Sequence, residues 1–137
     1  MIIAVDFDGT IVEHEYPKIG KTKLYAFETL KELQKQGHQL IMWTYRAGEY
    51  EKKAVEFCRE NGLEFYAVNK NYPEEVFDET ISRKIYADIY IDDRNVGGFL
   101  GWSKIWQIIN ENSEETFLQN EKEQSLKKRG FLSFLKK

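Results

Sequence analysis

Two pairs of aspartates each follow a short apolar segment: Asp6 and Asp8 after residues 2–5, and Asp92 and Asp93 after residues 87–91. If these segments are neighbouring strands of a parallel sheet, all four carboxylates meet at its C-terminal edge, where open sheets bind ligands. So many like charges need a cation, and oxygen ligands favour Mg²⁺. The pattern therefore predicts a magnesium site.

Side chains that suit anionic oxygens lie near the other apolar segments. Thr44 ends the segment 40–43, and Lys84 precedes the last one. A hydroxyl and an ammonium group beside carboxylates and a metal indicate phosphoryl transfer. Lys70, after a third apolar segment, is the alternative to Lys84. Arg46 is a candidate second phosphate contact because its guanidinium fork matches phosphate oxygens, and a surface loop arginine is the other reading.

The elements that must position these residues alternate along the chain. Apolar segments predict strands at 2–5, 38–44, 65–68 and 87–91, with helices at 24–37, 49–62 and 102–109 between and after them. Residues 69–83 have no clear pattern and are predicted to be irregular. This alternation indicates an α/β fold with a parallel sheet covered by helices on both faces. We expect one catalytic domain over residues 1–112.

The motifs resemble those of the haloacid dehalogenase (HAD) superfamily. Residues 5–11 (VDFDGTI) match its first motif, residues 40–44 (LIMWT) its second, Lys84 is placed for the third, and residues 89–93 (IYIDD) match the fourth. They occur in family order over residues 2–93. The resemblance implies a three-layer, Rossmann-like HAD-type fold and a phosphatase.

Roles for the motif residues follow from this resemblance. Asp6 would be the nucleophile and Asp8 the general acid and base, which favours phosphoester over carbon–halogen hydrolysis. Thr44 and Lys84 would hold phosphoryl oxygens, and the backbone amides of the loop that contains Gly9 and Thr10 would add an anion nest. By the same resemblance, the metal ligands would be Asp6, the backbone carbonyl of Asp8, Asp93 directly, and Asp92 directly or through water.

The segments between the motifs are too short to contain a cap domain. Only 33 residues separate Thr10 from Thr44, and 39 separate Thr44 from Lys84. We therefore expect a capless enzyme with an open site, in which residues 12–21 form a flap and Glu13 and His14 face the substrate. Such a site admits a phosphate on a large molecule or uses a second copy of the chain as a lid. The substrate itself is not indicated.

Composition excludes several other classes. The net charge of −3 over 137 residues argues against a domain that binds nucleic acid along its whole surface. One cysteine, Cys58, excludes an internal disulfide framework. There is no apolar run of about 18 residues to span a membrane, and the first residues do not resemble a signal peptide, so a cytoplasmic protein is expected.

The last residues, 113–137, form a basic and amphipathic tail. From residue 121 onward, six Lys or Arg stand against two Glu. This composition suits contact with a membrane surface or a partner. A frayed terminal helix, or a segment that folds back on the domain, is the alternative.

Two other functions fit parts of the pattern. A polynucleotide end phosphatase would use the open site and the basic tail, although the acidic main domain argues against it. A phospho-receiver signalling domain also combines acidic residues, Mg²⁺, Thr and Lys. Its middle strand should end in an aspartate, whereas here that strand ends in Thr44.

Overall fold

The computed structural model of the chain describes residues 1–111 and 114–135, with side chains described for 1–111 and 121–135. The strands are β1 (Ile2–Val5), β2 (Gln39–Met42), β3 (Ala67–Val68) and β4 (Ile89–Ile91), and the helices are α1 (Ala26–Lys35), α2 (Gly48–Glu60), α3 (Trp102–Glu111) and α4 (Glu114–Leu135). The predicted α/β class is confirmed. The first strand has its predicted bounds, and the other three are shorter than their apolar segments predicted.

The sheet is parallel and has the order β3-β2-β1-β4. Val5 at the end of β1 pairs with Met42 of β2 on one side and with Ile91 of β4 on the other. Because these three strands end in one row, the residues that follow them leave the sheet at the same edge. The expectation that the first and last strands are neighbours in the sheet is confirmed. The architecture is that of a Rossmann-like α/β fold.

The central strands are buried on both faces, as their continuous apolar sequence predicts. Ile3, Ala4 and Val5 of β1 are at most 1% exposed, and so are Leu40, Ile41 and Met42 of β2. Each large apolar side chain that is removed from water in this way contributes about 1.5–3 kcal/mol to stability. The two central strands therefore form a rigid support for the loops that follow them.

Helix α1 buries one face, formed by Ala26, Phe27, Leu30 and Leu33. Their three- and four-residue spacing is that of an amphipathic helix. The predicted start at Leu24 is wrong, since this side chain is 75% exposed and precedes the helix. Tyr25, with φ of 65°, lies in the left-handed region and prevents an earlier start.

Residues 69–88 contain no helix or strand, so the prediction of an irregular stretch is confirmed. The Glu75 carboxylate accepts hydrogen bonds from the backbone and side-chain nitrogens of Asn71. The Asn71 side-chain oxygen in turn accepts one from the Tyr86 amide at 2.8 Å. These side chains organise the segment without regular secondary structure.

The chain divides into two compact units, Met1–Trp102 and Ser103–Lys137. The first contains the whole sheet with α1 and α2. The second contains the rest of α3 and all of α4, whose described side chains at 121–135 are all exposed. The predicted boundary after residue 112 stays a prediction, as does the role of the tail at 113–137. Among the described residues, no helix has the length and apolar character needed to cross a membrane.

Candidate functional site

Asp6 is held where β1 leaves the sheet. Its backbone N–H donates to the carbonyl oxygen of Ile91 at 2.9 Å, which extends the pairing of β1 with β4 by one residue. One of its carboxylate oxygens, Oδ2, accepts a hydrogen bond from the buried Thr10 hydroxyl at 3.1 Å. The carboxylate is therefore oriented by the loop that follows it.

Three of the predicted carboxylates converge at this edge. Ligand atoms of Asp6, Asp92 and Asp93 all lie within 4.8 Å of one another. Oxygen donors at this spacing fit a hard divalent cation such as Mg²⁺. Direct or water-mediated ligation by Asp92, and ligation by the Asp8 carbonyl, stay predictions.

The electrostatics of this cluster show an excess of negative charge. Burial, the charge of Asp92 and a hydrogen bond with Asp93 raise the pKa of Asp6 to about 8, against the opposing effects of the Phe7 amide and the Thr10 hydroxyl. A cation among the three carboxylates would offset this repulsion.

Gly9 makes room for Asp93. Its φ is +82°, and a Cβ atom at this position would lie 2.0 Å from Asp93 Oδ2. Glycine is required here both by the backbone conformation and by the space that the carboxylate occupies.

The loop amides proposed as an anion nest already have acceptors within the loop. The Gly9 N–H donates to the Val12 carbonyl at 2.8 Å, and the Thr10 N–H donates to the Phe7 carbonyl at 3.2 Å. Phosphate binding by Gly9 and Thr10 stays a prediction, and it would require these bonds to be shared.

Arg46 is not a surface arginine, since it is only 1% exposed. Its Nε and Nη2 atoms lie 2.7 and 2.8 Å from the two carboxylate oxygens of Asp8. The same guanidinium group donates to the carbonyls of Pro17 and Lys18 in the predicted flap. A phosphate contact by Arg46 stays a prediction, and these bonds to Asp8 and the flap would have to be exchanged for it.

Thr44 is positioned by a residue that the sequence did not single out. The Thr44 amide donates to Asn69 Oδ1 at 2.8 Å, and the Thr44 hydroxyl accepts from the Arg46 amide at 3.1 Å. Asn69 follows β3 with a φ of 52°. Asparagine tolerates this left-handed conformation better than most residues, and an Asn directly after a strand was the available signal.

The two candidate lysines are exposed. The Lys84 ammonium lies 4.8 Å from the centre of the Tyr90 ring. Neither Lys84 nor Lys70 is among the described residues that line the cavity at the carboxylates. A phosphate contact by either lysine stays a prediction.

A cavity of about 700 Å³ opens at the carboxylates. Five of its described lining residues are predicted site residues: Asp6, Asp8, Thr44, Asp92 and Asp93. The other five are His14, Tyr16, Trp43, Tyr45 and Arg94. The cavity thus joins the charged cluster to aromatic side chains from the flap and from the loop after β2.

The expected flap faces this cavity through His14 and Tyr16. Glu13 is not among its lining residues in the described chain, and its carboxylate lies 3.8 Å from the Lys23 ammonium. Arg94, which is largely exposed, places its Nε 3.8 Å from Asp93 Oδ2. The structure therefore brings one of the two expected flap side chains to the site.

Comparison with known proteins finds a relative of this chain among solved structures. No protein-family model and no curated protein matches the chain. A conserved protein from Bacteroides thetaiotaomicron has a solved structure that is 57% identical in sequence, with a TM-score of 0.78. The match covers 82% of this chain and 92% of that one. At this identity and coverage, the chain belongs to the same family as that conserved Bacteroides protein.

Proposed function

We propose that this protein is a capless, three-layer HAD-type phosphatase, which hydrolyses phosphomonoesters with Mg²⁺. The observation that carries the proposal is the convergence of Asp6, Asp92 and Asp93, whose ligand atoms lie within 4.8 Å of one another. They lie where β1 and β4 end side by side, and Asp8 lines the same cavity. A nucleophile, an acid–base group and a cation site thus share one cleft.

Asp6, Asp92 and Asp93 are the residues that would hold the cation. When bound, Mg²⁺ neutralises charge on the phosphoryl oxygens and on the cluster itself. The pKa of about 8 for Asp6 supports this role, because the carboxylates by themselves disfavour the ionised form that a nucleophile needs.

The reaction would proceed in two displacements at phosphorus. In the first, a carboxylate oxygen of Asp6 forms a bond to phosphorus while the ester P–O bond breaks, and the leaving oxygen takes a proton from Asp8. In the second, water attacks the aspartyl-phosphate, gives a proton to Asp8 and releases inorganic phosphate. Asp6 is regenerated as a carboxylate and Asp8 as an acid.

Arg46 would set the orientation of Asp8 for both proton transfers. A carboxylate has about four lone-pair positions, and Arg46 uses one on each oxygen of Asp8. The remaining positions can carry or accept the transferred proton. Thr44, held by Asn69 at the same edge, would donate its hydroxyl proton to a phosphoryl oxygen, and Lys84 is the proposed cationic contact.

The test is hydrolysis of p-nitrophenyl phosphate by the purified chain with and without Mg²⁺. We expect EDTA to abolish activity, and Asp6→Asn and Asp92→Asn to reduce kcat by at least about 10³-fold with an unchanged circular dichroism spectrum. Asp78→Asn is the matched control, because this aspartate is exposed, accepts its hydrogen bonds from the nearby Thr80 and is not among the described cavity residues. Full activity of Asp6→Asn would contradict the mechanism.

Assays on the same purified protein distinguish the two alternative functions. Selective hydrolysis of 3′-phosphorylated oligonucleotides would favour a polynucleotide end phosphatase. Stable phosphorylation by a small phosphodonor without turnover would favour a phospho-receiver. Light scattering during turnover would test whether a second copy of the chain covers the open site.

A further inference from the structure

Apart from the four aspartates and Thr44, the cavity is lined mainly by planar rings. Of these five other described lining residues, Tyr16, Trp43, Tyr45 and His14 are ring-bearing, and Arg94 is not. Aromatic faces bind other π systems by offset or edge contacts and offer few hydrogen bonds to a polyhydroxylated group. The composition of the wall therefore favours a flat, aromatic ligand.

Tyr45 is more exposed than Tyr16, with 89% of its surface accessible against 39%. Burial of its ring therefore contributes little to folding. Thr44 and Tyr45 both line the cavity, so a ligand whose phosphate lies at Thr44 can also contact this ring. An accessible aromatic ring at the mouth of a polar cavity is suited to contact the bound ligand.

Tyr16, which also lines the cavity, is held in a defined position by its neighbours. Its ring centre is 6.1 Å from that of Tyr45 and 5.8 Å from that of Tyr50, both in edge-to-face geometry. The buried Arg46 guanidinium lies 5.2 Å from the Tyr16 ring centre. Because Arg46 also pairs with Asp8, one side chain fixes both the aromatic wall and the acid–base group. Such pre-organisation lowers the entropic cost of binding.

The size of the cavity leaves space for more than a phosphate group. At about 700 Å³ it lies within the range of roughly 300–1,000 Å³ that holds small organic ligands. It is lined by the carboxylates, Thr44 and Arg94 together with the four ring-bearing residues. A phosphomonoester bound with its phosphorus near Asp6 would place its leaving group among the rings.

We infer that the rings of Tyr45 and Tyr16 form a subsite for a planar aromatic group in the leaving alcohol of the substrate. The inference rests on the proposed phosphatase function and adds the substrate class to it. The base of a nucleoside monophosphate and the ring of a benzyl-type phosphate share this chemistry. The experiment therefore includes both kinds of substrate.

The experiment compares kcat/KM for pairs of substrates that differ only in the ring. Adenosine 5′-monophosphate is paired with ribose 5-phosphate, which has the same ester without the base. Benzyl phosphate is paired with cyclohexylmethyl phosphate, which has a saturated ring. We expect the aromatic member to be preferred by at least about tenfold, or about 1.4 kcal/mol, in one pair or both. The pair with the larger ratio identifies the source of the ring.

Three variants test whether the Tyr45 ring causes the preference for the aromatic substrate. Tyr45→Ala should lower kcat/KM for the aromatic substrate about tenfold and reduce the ratio within the pair, whereas Tyr45→Phe should retain the ratio. Tyr86→Ala is the matched control, because this tyrosine is 68% exposed and is not among the cavity residues of the described chain. It should leave both members of each pair unaffected.

The outcomes separate this inference from the proposed function. Hydrolysis of both members of each pair at equal kcat/KM would overturn the aromatic subsite and leave the phosphatase intact. The same conclusion follows if Tyr45→Ala leaves the ratio unchanged. If no phosphomonoester, p-nitrophenyl phosphate included, is hydrolysed with Mg²⁺, the proposed function fails and the inference that rests on it fails as well.

Discussion

Asp8 and Arg46 form a two-pronged ion pair, in which Nε and Nη2 of the arginine lie 2.7 and 2.8 Å from the two carboxylate oxygens. The arginine side chain is inaccessible to solvent and that of Asp8 is 11% exposed. Arg46 also donates to the carbonyls of Pro17 and Lys18. The loop after β2, the motif after β1 and the flap are thereby joined through one guanidinium group.

Removal of Arg46 should be strongly destabilising. Arg46→Ala leaves Asp8 largely buried without its cation and two flap carbonyls without this donor, so we expect a loss of about 3–5 kcal/mol in the free energy of unfolding. Arg46→Lys should recover only part of it, since an ammonium group cannot reproduce the fork. Urea titration followed by circular dichroism measures both changes.

Arg59→Ala is the control for this loss. Arg59 pairs with Glu56 and Glu64 on the surface, and all three side chains are more than half exposed. Its removal should cost about 1 kcal/mol or less. If Arg46→Ala costs no more than Arg59→Ala, the buried pair does not hold the site together.

Gly9→Ala should displace Asp93. The added Cβ would lie 2.0 Å from the Asp93 carboxylate, and the φ of +82° adds backbone strain. We expect a stability loss of about 1–3 kcal/mol, together with at least tenfold weaker Mg²⁺ binding and lower phosphatase activity. Isothermal titration with Mg²⁺ and a kinetic assay measure the two functional losses.

Gly37→Ala is the control that separates the effect of backbone strain from the effect of displacing Asp93. Gly37 has a similar φ of +92°, but its Cβ would meet nothing within 4 Å. This variant should lose comparable stability while Mg²⁺ affinity and activity stay normal. Equal functional losses in both variants would show that the Gly9 effect is general destabilisation.

The stability of the metal-free protein should fall as pH rises from about 4 to about 8. The pKa of Asp6 is raised from 3.8 to about 8 by burial and by its acidic neighbours. In this interval the folded state retains a proton that the unfolded state has released, so deprotonation favours unfolding. Above pH 8 the destabilisation by Asp6 is complete.

Thermal unfolding in EDTA tests this pH dependence. Relative to Asp6→Asn, the wild-type Tm should fall by on the order of 5–10 °C across the interval. Millimolar Mg²⁺ at pH 8 should recover the loss in the wild type, because the cation binds the folded state. Parallel pH profiles for the wild type and Asp6→Asn would refute the electrostatic argument.

Cys58 should be chemically inert in the folded protein. Burial raises the pKa of its thiol to about 12, and the residue is inaccessible to solvent. Because the thiolate is the reactive form, iodoacetamide at pH 8 should not label native protein but should label it fully in urea. Stoichiometric labelling of the native chain within minutes would contradict the burial of Cys58 on α2.

The sequence predicted the parts of the site that depend on the ends of strands. The proximity of Asp6 and Asp92 could be predicted because parallel strands end at a common edge. The two residues meet because Val5 of β1 pairs with Ile91 of β4. The partners of Arg46 could not be predicted, since Asp8 is 38 residues away and the contact depends on how the flap folds. Arg46 is buried, whereas an arginine in a loop is normally exposed to solvent.

The role of Asn69 was missed for the same reason, because its contact with Thr44 spans 25 residues and β3 is only two residues long. Asn69→Gly should test this contact. Glycine adopts the φ of 52° without strain and retains the amide that donates to the Met42 carbonyl at 2.8 Å. The side-chain amide is lost, together with its hydrogen bond to Glu51 Oε2 at 3.0 Å. The Thr44 amide then lacks its acceptor.

We expect Asn69→Gly to lower kcat for p-nitrophenyl phosphate about tenfold, with a smaller change in KM and a stability loss of about 1 kcal/mol. Asn61→Gly is the matched control, since its side chain donates to the Phe57 carbonyl at the end of α2, and Asn61 is not among the described cavity residues. It should lose similar stability without losing activity. Equal kcat values in the two variants would mean that Asn69 stabilises the loop without positioning Thr44 for phosphate.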